Sequence, residues 1–487
     1  MKKDFDLIII GSGLGGLSAA IMVLGLGKKV AIIESGLFGG KCTWNNCLPL
    51  KALIRAGHAI KEARNLGNFG FSSGVFDSNS HGVFAHVKAA IASRAAGNLL
   101  SDLEAVGITV MFGQPHFTDE NYIELNGKSY SSRFFLIATG STPVKPVVEG
   151  IESVPVLTCE TIYDLDHMPK SIIILGGGPD GVEFAQAFRN IGLEVSLVDI
   201  ASSILNREDN ELTSSLVAIM KASGIRLYTG CRTIKVVGKG KPIELSVTGS
   251  DFHEVIQAEV LLTTAGRAPA VGGLQLENAG VKYSKKGIQT DAHQKTSTPN
   301  IYACGDVTTP LQLAMVAEQQ GLIAANNMFI PLKKCFRSEN IVSVVFSDPP
   351  LAHTGLTEIE AIKRYGSNLR IYRYDYRSVR RAGIDGGEEG SAKVITTTGG
   401  KLVGAHILGV GADEIIQQFH LMRHSGKTIA GLHDVGFAFP TYSEGIVKRI
   451  GDLAYLDSVS SNSFVKLGLK LLPGYKNNLE RARRALL

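Results

Sequence analysis

Leu7-Ile-Ile-Ile-Gly11-Ser-Gly13-Leu-Gly-Gly16 decides the fold class of this 487-residue chain. Four apolar residues in a row have no polar face, so they suit a strand buried on both sides of a sheet. The glycines that follow suit a tight turn that lets a pyrophosphate approach the backbone, and an Ala-rich helical segment comes after them. Lys29-Val-Ala-Ile-Ile-Glu34 is a second apolar strand, ending in an acid placed to bond a ribose hydroxyl. Strand, glycines, helix, strand and terminal acid together make a dinucleotide-binding unit, with Gly11, Gly13, Gly16 and Glu34 as its contacts.

The pattern recurs. Ser171-Ile-Ile-Ile-Leu-Gly176-Gly-Gly178-Pro-Asp-Gly181-Val-Glu183 precedes a helix and the strand Glu194-Val-Ser-Leu-Val-Asp199. Two such units imply two bound dinucleotides, with Gly176, Gly178, Gly181 and Asp199 contacting the second. Asp199 can pair with a free 2′-hydroxyl and would repel a 2′-phosphate, which favours NADH over NADPH.

Between the two lies Gly39-Gly-Lys-Cys-Thr-Trp-Asn-Asn-Cys-Leu-Pro-Leu-Lys51. On a regular helix, residues five apart point about 140° away from each other with about 7.5 Å of rise, wrong for a disulfide. A bridge between Cys42 and Cys47 therefore requires Cys42 to sit in an irregular turn just before the helix carrying Cys47. Gly39 and Gly40 supply the backbone freedom for that turn. The alternative is a pair of unrelated small core residues.

The length suggests two to four domains. Six cysteines (42, 47, 159, 231, 304 and 335) are too few for a secreted disulfide framework and point to a reducing, cytoplasmic setting. No other cysteine pair or histidine cluster has zinc-ligand spacing, so no metal site is expected. The first ten residues superficially resemble a signal peptide, but Asp4, Asp6 and Gly11 interrupt the apolar run. No uninterrupted apolar span of membrane length occurs elsewhere. Residues 52 to about 105 read as helical, with a Gly/Ser-rich break near 67 to 80. From Phe464 to Leu487 six Lys and Arg face the single acid Glu480, a surplus equal to the net charge of +5 for the whole chain. The remainder is nearly neutral, and nucleic acid is not an expected partner. The apolar and basic residues of Phe464-Val-Lys-Leu-Gly-Leu-Lys-Leu-Leu-Pro-Gly474 allow a weak contact with an anionic membrane surface. A solvated basic helix is the alternative.

Taken together these residues resemble the class I flavoprotein disulfide reductases, the group of dihydrolipoamide dehydrogenase, glutathione reductase and mercuric reductase. The resemblance rests on both glycine fingerprints, Gly-Gly-x-Cys-x4-Cys-x-Pro-x-Lys, Ala138-Thr139-Gly140, Gly266-Arg-Ala-Pro269 and Gly305-Asp306, and covers about residues 5 to 450. It implies an α/β protein with two Rossmann-like domains and a C-terminal α+β dimerisation domain that makes a homodimer. The FAD-binding domain would be 1–147 with 265–335, the NAD-binding domain 148–264, and the interface domain 340–457, before a basic tail at 458–487. By the same resemblance Gly40, Lys51, Gly113, Thr139, Gly140, Gly266, Asp306 and Ala314 join the cofactor contacts. Cys42 and Cys47 would form the redox disulfide, Cys47 as the flavin-proximal charge-transfer sulfur and Cys42 as the thiol that attacks the acceptor. Lys51 would lie near the flavin's reactive nitrogen, with Glu183 as its carboxylate partner.

One motif departs from the family. Disulfide-reducing members carry His-Pro-Thr-x-x-Glu, whereas this chain has Phe439-Pro-Thr-Tyr-Ser-Glu444. Phe439 stands in place of the acid/base and Glu444 is left without it, a loss typically worth about 10² to 10⁴ in rate. His424 and His433 are expected to be structural, and Tyr442 sits three residues past the base position. Trp44, Asn46 and Leu50 replace smaller or different residues, which suggests an unusual acceptor. The expectation is an NADH-dependent FAD enzyme of the dihydrolipoamide dehydrogenase-like group with a thiol/disulfide acceptor. A soft metal ion or a quinone is the alternative acceptor.

Overall fold

Leu7 to Ile10 can bury side chains on both faces only inside a sheet covered on two sides, and they lie in one. β1 (Phe5–Ile10), α1 (Leu14–Gly25) and β2 (Val30–Glu34) form a βαβ unit with parallel strands, Leu7 beside Val30 and Ile10 beside Ile33. Alternate residues face opposite ways. Ile8 and Ile10 join Ile33, Phe117 and Phe135 in one core, while Leu7 and Ile9 join Ala19, Val23 and Ile32 in another. The computed structural model describes residues 2–72, 80–95, 99–238, 242–308, 311–461 and 475–486. It divides into two units, one of residues 1–176, 187–198 and 231–337, the other of residues 177–186, 199–230 and 338–487.

In the first unit β2 leads into the one-turn helix α2 (Lys41–Trp44) and then α3 (Cys47–Arg64). The stretch expected to be helical from 52 to about 105 continues as a 3-10 turn at Leu66–Phe69, then α4 (Ser80–Ala95) and α5 (Leu99–Ala105). β3 (Thr109–Phe112) pairs in parallel with β2. β4 (His116–Asp119), β5 (Tyr122–Leu125) and β6 (Lys128–Ile137) form an antiparallel meander, and the end of β6 runs on in parallel with β1. After β7 (Ser141–Pro143) comes a second parallel arrangement, built from β8 (Val156–Thr158), β9 (Ser171–Leu175) and β10 (Glu194–Val198). An antiparallel ribbon comes next, β11 (Arg232–Val237), β12 (Ile243–Thr248) and β13 (His253–Ala258), and β14 (Val260–Thr263) returns to lie between β9 and β8. β15 (Arg267–Pro269) pairs with β7, and β16 (Ile301–Ala303) pairs in parallel with β6. α6 (Ala314–Phe329) closes the unit, its buried face sharing a core with α1.

The second unit is built on an antiparallel sheet of β17 (Val342–Val345), β18 (Leu351–Gly355), β19 (Leu369–Asp375), β20 (Ser391–Thr397) and β21 (Leu402–Leu408), in the order β17-β18-β21-β20-β19. α7 (Ala412–Ser425) contributes Ile415, Ile416 and Phe419 to a core with Tyr372, Tyr374, Tyr376 and Ile407. α8 (Arg449–Ser461) adds Ile450 and Leu453. A last helix, α9 (Tyr475–Leu486), is tied by Arg483 to Asp457 at 2.6 Å. The apolar and basic run Phe464–Gly474, on which the membrane-surface reading rests, lies outside the described residues. Among the described residues no helix is long and apolar enough to cross a membrane.

This second unit also buries a lysine. Lys393 on β20 bonds Asp209 at 2.7 Å, Glu211 at 2.6 Å and Glu358 at 2.8 Å, and Arg373 shares the last two carboxylates. Burial pushes the Asp209 carboxyl up, but the Lys393 hydrogen bond, with the charges of His406 and Lys393, outweighs it and holds the group below its ordinary value. A depressed carboxyl stabilises the fold at neutral pH, and that contribution is lost as pH falls through the folded-state value. Removing one partner of such a cluster leaves uncompensated buried charge, a loss of about 3–5 kcal/mol. Lys393→Met is therefore expected to lower the thermal midpoint at neutral pH, with a smaller difference from wild type under acid conditions. Equal melting curves at neutral pH would refute this account of the cluster.

Candidate active site

The first glycine turn is shaped by close contacts. A Cβ on Gly16 would stand 2.2 Å from the Gly11 carbonyl oxygen, so only glycine lets α1 start this near the end of β1. Gly13 borders open space, and α1 has no side-chain cap on its N-terminus. Unpaired N–H groups at a helix start, with room before them, suit an anion such as a pyrophosphate. Glu34 stands where the sequence puts it, at the end of β2. Its Oε2 accepts from the Ser12 N–H (3.0 Å) and hydroxyl (2.5 Å), and its Oε1 accepts from the Gly36 N–H (2.8 Å).

The cysteine segment begins directly against this turn. The Gly39 N–H donates to Ser12 Oγ at 2.9 Å. Gly40 has φ +76°, and a Cβ there would meet Gly13 Cα at 2.6 Å. Two stretches 27 residues apart in sequence thus become one site. Cys42 and Cys47 are disulfide-bonded, with their Cα atoms 4.7 Å apart. The expected irregular turn takes a different form: Cys42 lies in the helical turn α2, and the irregularity falls after it, at Asn45 and Asn46. That break cancels the rise and rotation that an unbroken helix would impose between residues five apart. Cys47 is the first residue of α3, and Lys51 is one turn further on the same face. Trp44 Nε1 donates to the Phe38 carbonyl at 2.8 Å, and Leu50 is fully buried. Trp44 thus helps to hold the turn itself.

The Ala-Thr-Gly and Gly-Arg-Ala-Pro segments meet as the β7/β15 ribbon, Ala268 beside Thr142, with Thr139 Oγ1 donating to the Ala270 carbonyl at 2.7 Å. Asp306 arrives from the other side, accepting from Ser141 Oγ at 2.7 Å. The Arg267 guanidinium donates to Ser141 Oγ (2.8 Å), the Ser141 carbonyl (2.9 Å) and Glu160 (3.0 Å), and Glu160 accepts from Lys41 at 2.8 Å. The sequence reading missed Ser12, Ser141 and Glu160. Arg267 lay inside a quoted motif, whereas Glu160 carries no local signal because its partners are 107 and 119 residues away. Gly113 follows β3, its N–H on the Glu34 carbonyl at 3.0 Å, and Ala314 is the first residue of α6.

At the second fingerprint the Gly176 N–H donates to the Val198 carbonyl at 2.8 Å, at the end of β9. In the other unit Asp199 accepts from the N–H groups of Gly177 and of Ala201, and Gly178 borders open space. Gly181 lies in the first turn of the helix Pro179–Ile191. Glu183 is buried and accepts from the Phe346 N–H at 2.9 Å.

The C-terminal motif has its own arrangement within the second unit. Phe439 is exposed, with the Arg380 guanidinium 5.4 Å from its ring centre. Glu444, left without a histidine, bonds Arg449 at 2.7 Å. The Tyr442 hydroxyl donates to Asp385 at 3.1 Å; burial and that carboxylate push its pKa up to about 12. His433 bonds Asp452 at 2.7 Å and stacks on Tyr455 at 4.0 Å, and His424 lies in the last turn of α7. Among the described residues no group of three or more His, Cys, Asp or Glu forms a metal site.

Residues 5–321 match the pyridine nucleotide-disulphide oxidoreductase family, and residues 341–450 match its dimerisation domain. The chain belongs to this family. The oxidoreductase is 34% identical over 448 residues to a glutathione reductase of Burkholderia cepacia, covering 92% of this chain and 98% of that one. It is 32% identical over 462 residues to a mercuric reductase of Staphylococcus aureus, covering 94% and 84%. To a dihydrolipoyl dehydrogenase of Thermus scotoductus it is 32% identical over 456 residues, covering 92% and 96%. Among solved structures, the HOCl-induced flavoprotein disulfide reductase RclA of Escherichia coli superposes with a TM-score of 0.81 at 25% identity, covering 91% and 98%, in a Cu(II) complex and without one. FAD and a pyridine nucleotide are typical of the family, and the dimerisation domain supports a homodimer. The uncapped start of α1, the open space at Gly13 and the acid at Glu34 fit a dinucleotide in the first unit. Gly40→Ala would clash with Gly13 and strain a backbone held at positive φ, at about 1–3 kcal/mol. It is expected to weaken flavin retention about tenfold, read as flavin absorbance per protein after dialysis; full retention would show that this contact does not shape the site.

Proposed function

We propose that this chain is an NADH-dependent FAD oxidoreductase that passes electrons through the Cys42–Cys47 disulfide to a thiol/disulfide acceptor. The observation that carries the reading is the disulfide itself, set at the start of α3 and packed against the glycine turn of the first unit. FAD and NADH, when bound, supply a pair of electrons delivered as hydride from the nicotinamide. FAD would be held by residues 1–147 and 265–335, with Gly11, Gly13, Gly16, Glu34, Gly40, Gly113, Thr139, Gly140, Gly266, Asp306 and Ala314 as contacts. NADH would be held by residues 148–264 through Gly176, Gly178, Gly181 and Asp199, whose carboxylate suits a free 2′-hydroxyl. Lys51 would serve the redox centre of the first unit, and residues 340–457 would form the homodimer. Four free cysteines beside the one disulfide suit a cytoplasmic setting.

With the pair reduced, the Cys42 thiolate attacks one sulfur of the acceptor disulfide and expels the other as a thiolate. Cys47 then attacks Cys42, expels the second thiolate and re-forms the bridge. A helix N-terminus favours the thiolate at Cys47. In this chain no histidine stands at 439 to protonate the leaving group, so acceptors with acidic thiol products, which leave fastest, are favoured.

A second reading has its own support. A soft metal ion bound by two thiolates accepts electrons without a proton donor, which agrees with Phe439. A mercuric reductase and a Cu(II) complex of RclA stand among the relatives. Steady-state assays with NADH and a lipoamide, a small disulfide, a metal ion and a quinone would separate the acceptors. Cys42→Ser is expected to abolish turnover of all but the quinone while flavin reduction by NADH persists; undiminished disulfide turnover would overturn both cysteine-based readings. Because Arg449 already holds Glu444, Phe439→His is expected to return less than about tenfold of the 10² to 10⁴ that a positioned acid/base supplies. A gain of a hundredfold or more would show that Glu444 is free to orient the new ring.

A further inference from the structure

Lys41 and Asn45, which flank the Cys42 turn, both bond Glu160, more than a hundred residues away. Lys41 Nζ lies 2.8 Å from Glu160 Oε1, and Asn45 Nδ2 donates to the Glu160 carbonyl at 3.4 Å. A four-residue helix makes too few internal hydrogen bonds to hold its own shape. The other side-chain bonds of this turn, Thr43 to Gly39 and Trp44 to Phe38, are local. Glu160 is in turn fixed from its buried side by Arg267 at 3.0 Å, and Arg267 by Ser141 and through it by Asp306. Burial pushes the Glu160 carboxyl up, but the bonds and charges of Lys41 and Arg267 hold it below its ordinary value, so it is ionised at neutral pH.

We propose that Glu160 is a positioning residue for the redox disulfide, tethering the Cys42 turn through Lys41 and Asn45 to the Arg267–Ser141–Asp306 chain and setting the charge beside the Cys42 sulfur. The inference rests on the functional reading above. On reduction the disulfide takes up two electrons and one proton at neutral pH, leaving one thiol and one thiolate. Lys41, the residue next to Cys42, favours that added negative charge, and Glu160 opposes it by neutralising Lys41. The two side chains therefore push the disulfide equilibrium in opposite directions, which a general loosening of the turn would not do. The tether also holds the attacking sulfur in place, and a misplacement of about 1 Å costs about 10²-fold in rate.

The test equilibrates flavin-loaded wild type, Glu160→Gln and Lys41→Met in dithiothreitol redox buffers and reads the Cys42–Cys47 pair by peptide-resolved alkylation. Glu160→Gln is expected to favour the reduced pair about tenfold, a rise of about 30 mV, and Lys41→Met to disfavour it by a similar factor. Glu160→Asp is expected to return toward wild type. Lys41 is 42% exposed, so replacing it opens no buried cavity and its variant serves as the test where the Glu160 variants do not fold; a Lys41→Met couple within twofold of wild type, or one shifted toward reduction, overturns the inference. So does a Glu160→Gln couple that is unmoved or shifted the same way as that of Lys41→Met. A parallel anaerobic titration of wild type with NADH keeps the two claims apart. If it exposes no thiols at Cys42 and Cys47, the functional reading fails while the dithiothreitol couples still judge the tether.

Discussion

The site depends on the hydroxyl of Ser12, a fully buried residue inside the first glycine turn. It donates to Glu34 at the end of β2 and accepts from the Gly39 N–H at the head of the disulfide segment. One oxygen thereby joins the dinucleotide turn, the acid beyond the second strand and the chain leading to Cys42. The first bond is charge-assisted and the second is buried, and each is worth more than a neutral bond at the surface. Gly40 completes the junction, because its Cα stands where a side chain on any other residue would strike Gly13. The approach of the cysteine segment to the first glycine turn thus comes down to a serine and two glycines in close contact.

From that junction a line of polar contacts runs the other way. Asp306 meets Ser141, Ser141 meets Arg267, Arg267 meets Glu160, and Glu160 meets Lys41, all within the first unit. The β7/β15 ribbon carries both Ser141 and Arg267, so the line is anchored on paired strands and not on a loop. Each strand of that ribbon is three residues long, and a ribbon so short is marginal by itself. The side-chain bonds and the ribbon consequently support each other, and the segments named by sequence as separate motifs form one scaffold.

The legible part of the sequence was local. Leu7–Ile10 and Ser171–Leu175 declared buried strands because an apolar run has no face for water, and the glycines after them declared turns because no other residue fits. Glu34 and Asp199 were readable from their place at strand ends. The illegible part consists of contacts whose partners share no sequence neighbourhood. Nothing near Glu160 announces Lys41 or Arg267, and nothing near Lys393 announces Asp209, Glu211 and Glu358. The one-turn helix at Lys41–Trp44 escaped for a related reason: its shape is held by partners outside it, and so its own residues specify it poorly.

In the C-terminal motif Phe439 stands where the resemblance implies a histidine, and Glu444 bonds Arg449. A carboxylate that had oriented a histidine would be a buried, unpaired charge without it, at a cost of several kcal/mol. Here Arg449, five residues on, occupies Glu444 instead, while the Thr441 hydroxyl accepts from the Glu444 N–H at 3.0 Å. The Glu444 carboxylate is therefore paired without a ring at position 439. Burial and Asp385 push the Tyr442 pKa up to about 12. A phenol held that firmly gives up its proton far less readily than an imidazolium, which titrates near neutrality. Under the proposed reading, proton delivery to a departing thiolate would fall to solvent or to the acceptor itself, which would favour acceptors that leave without one.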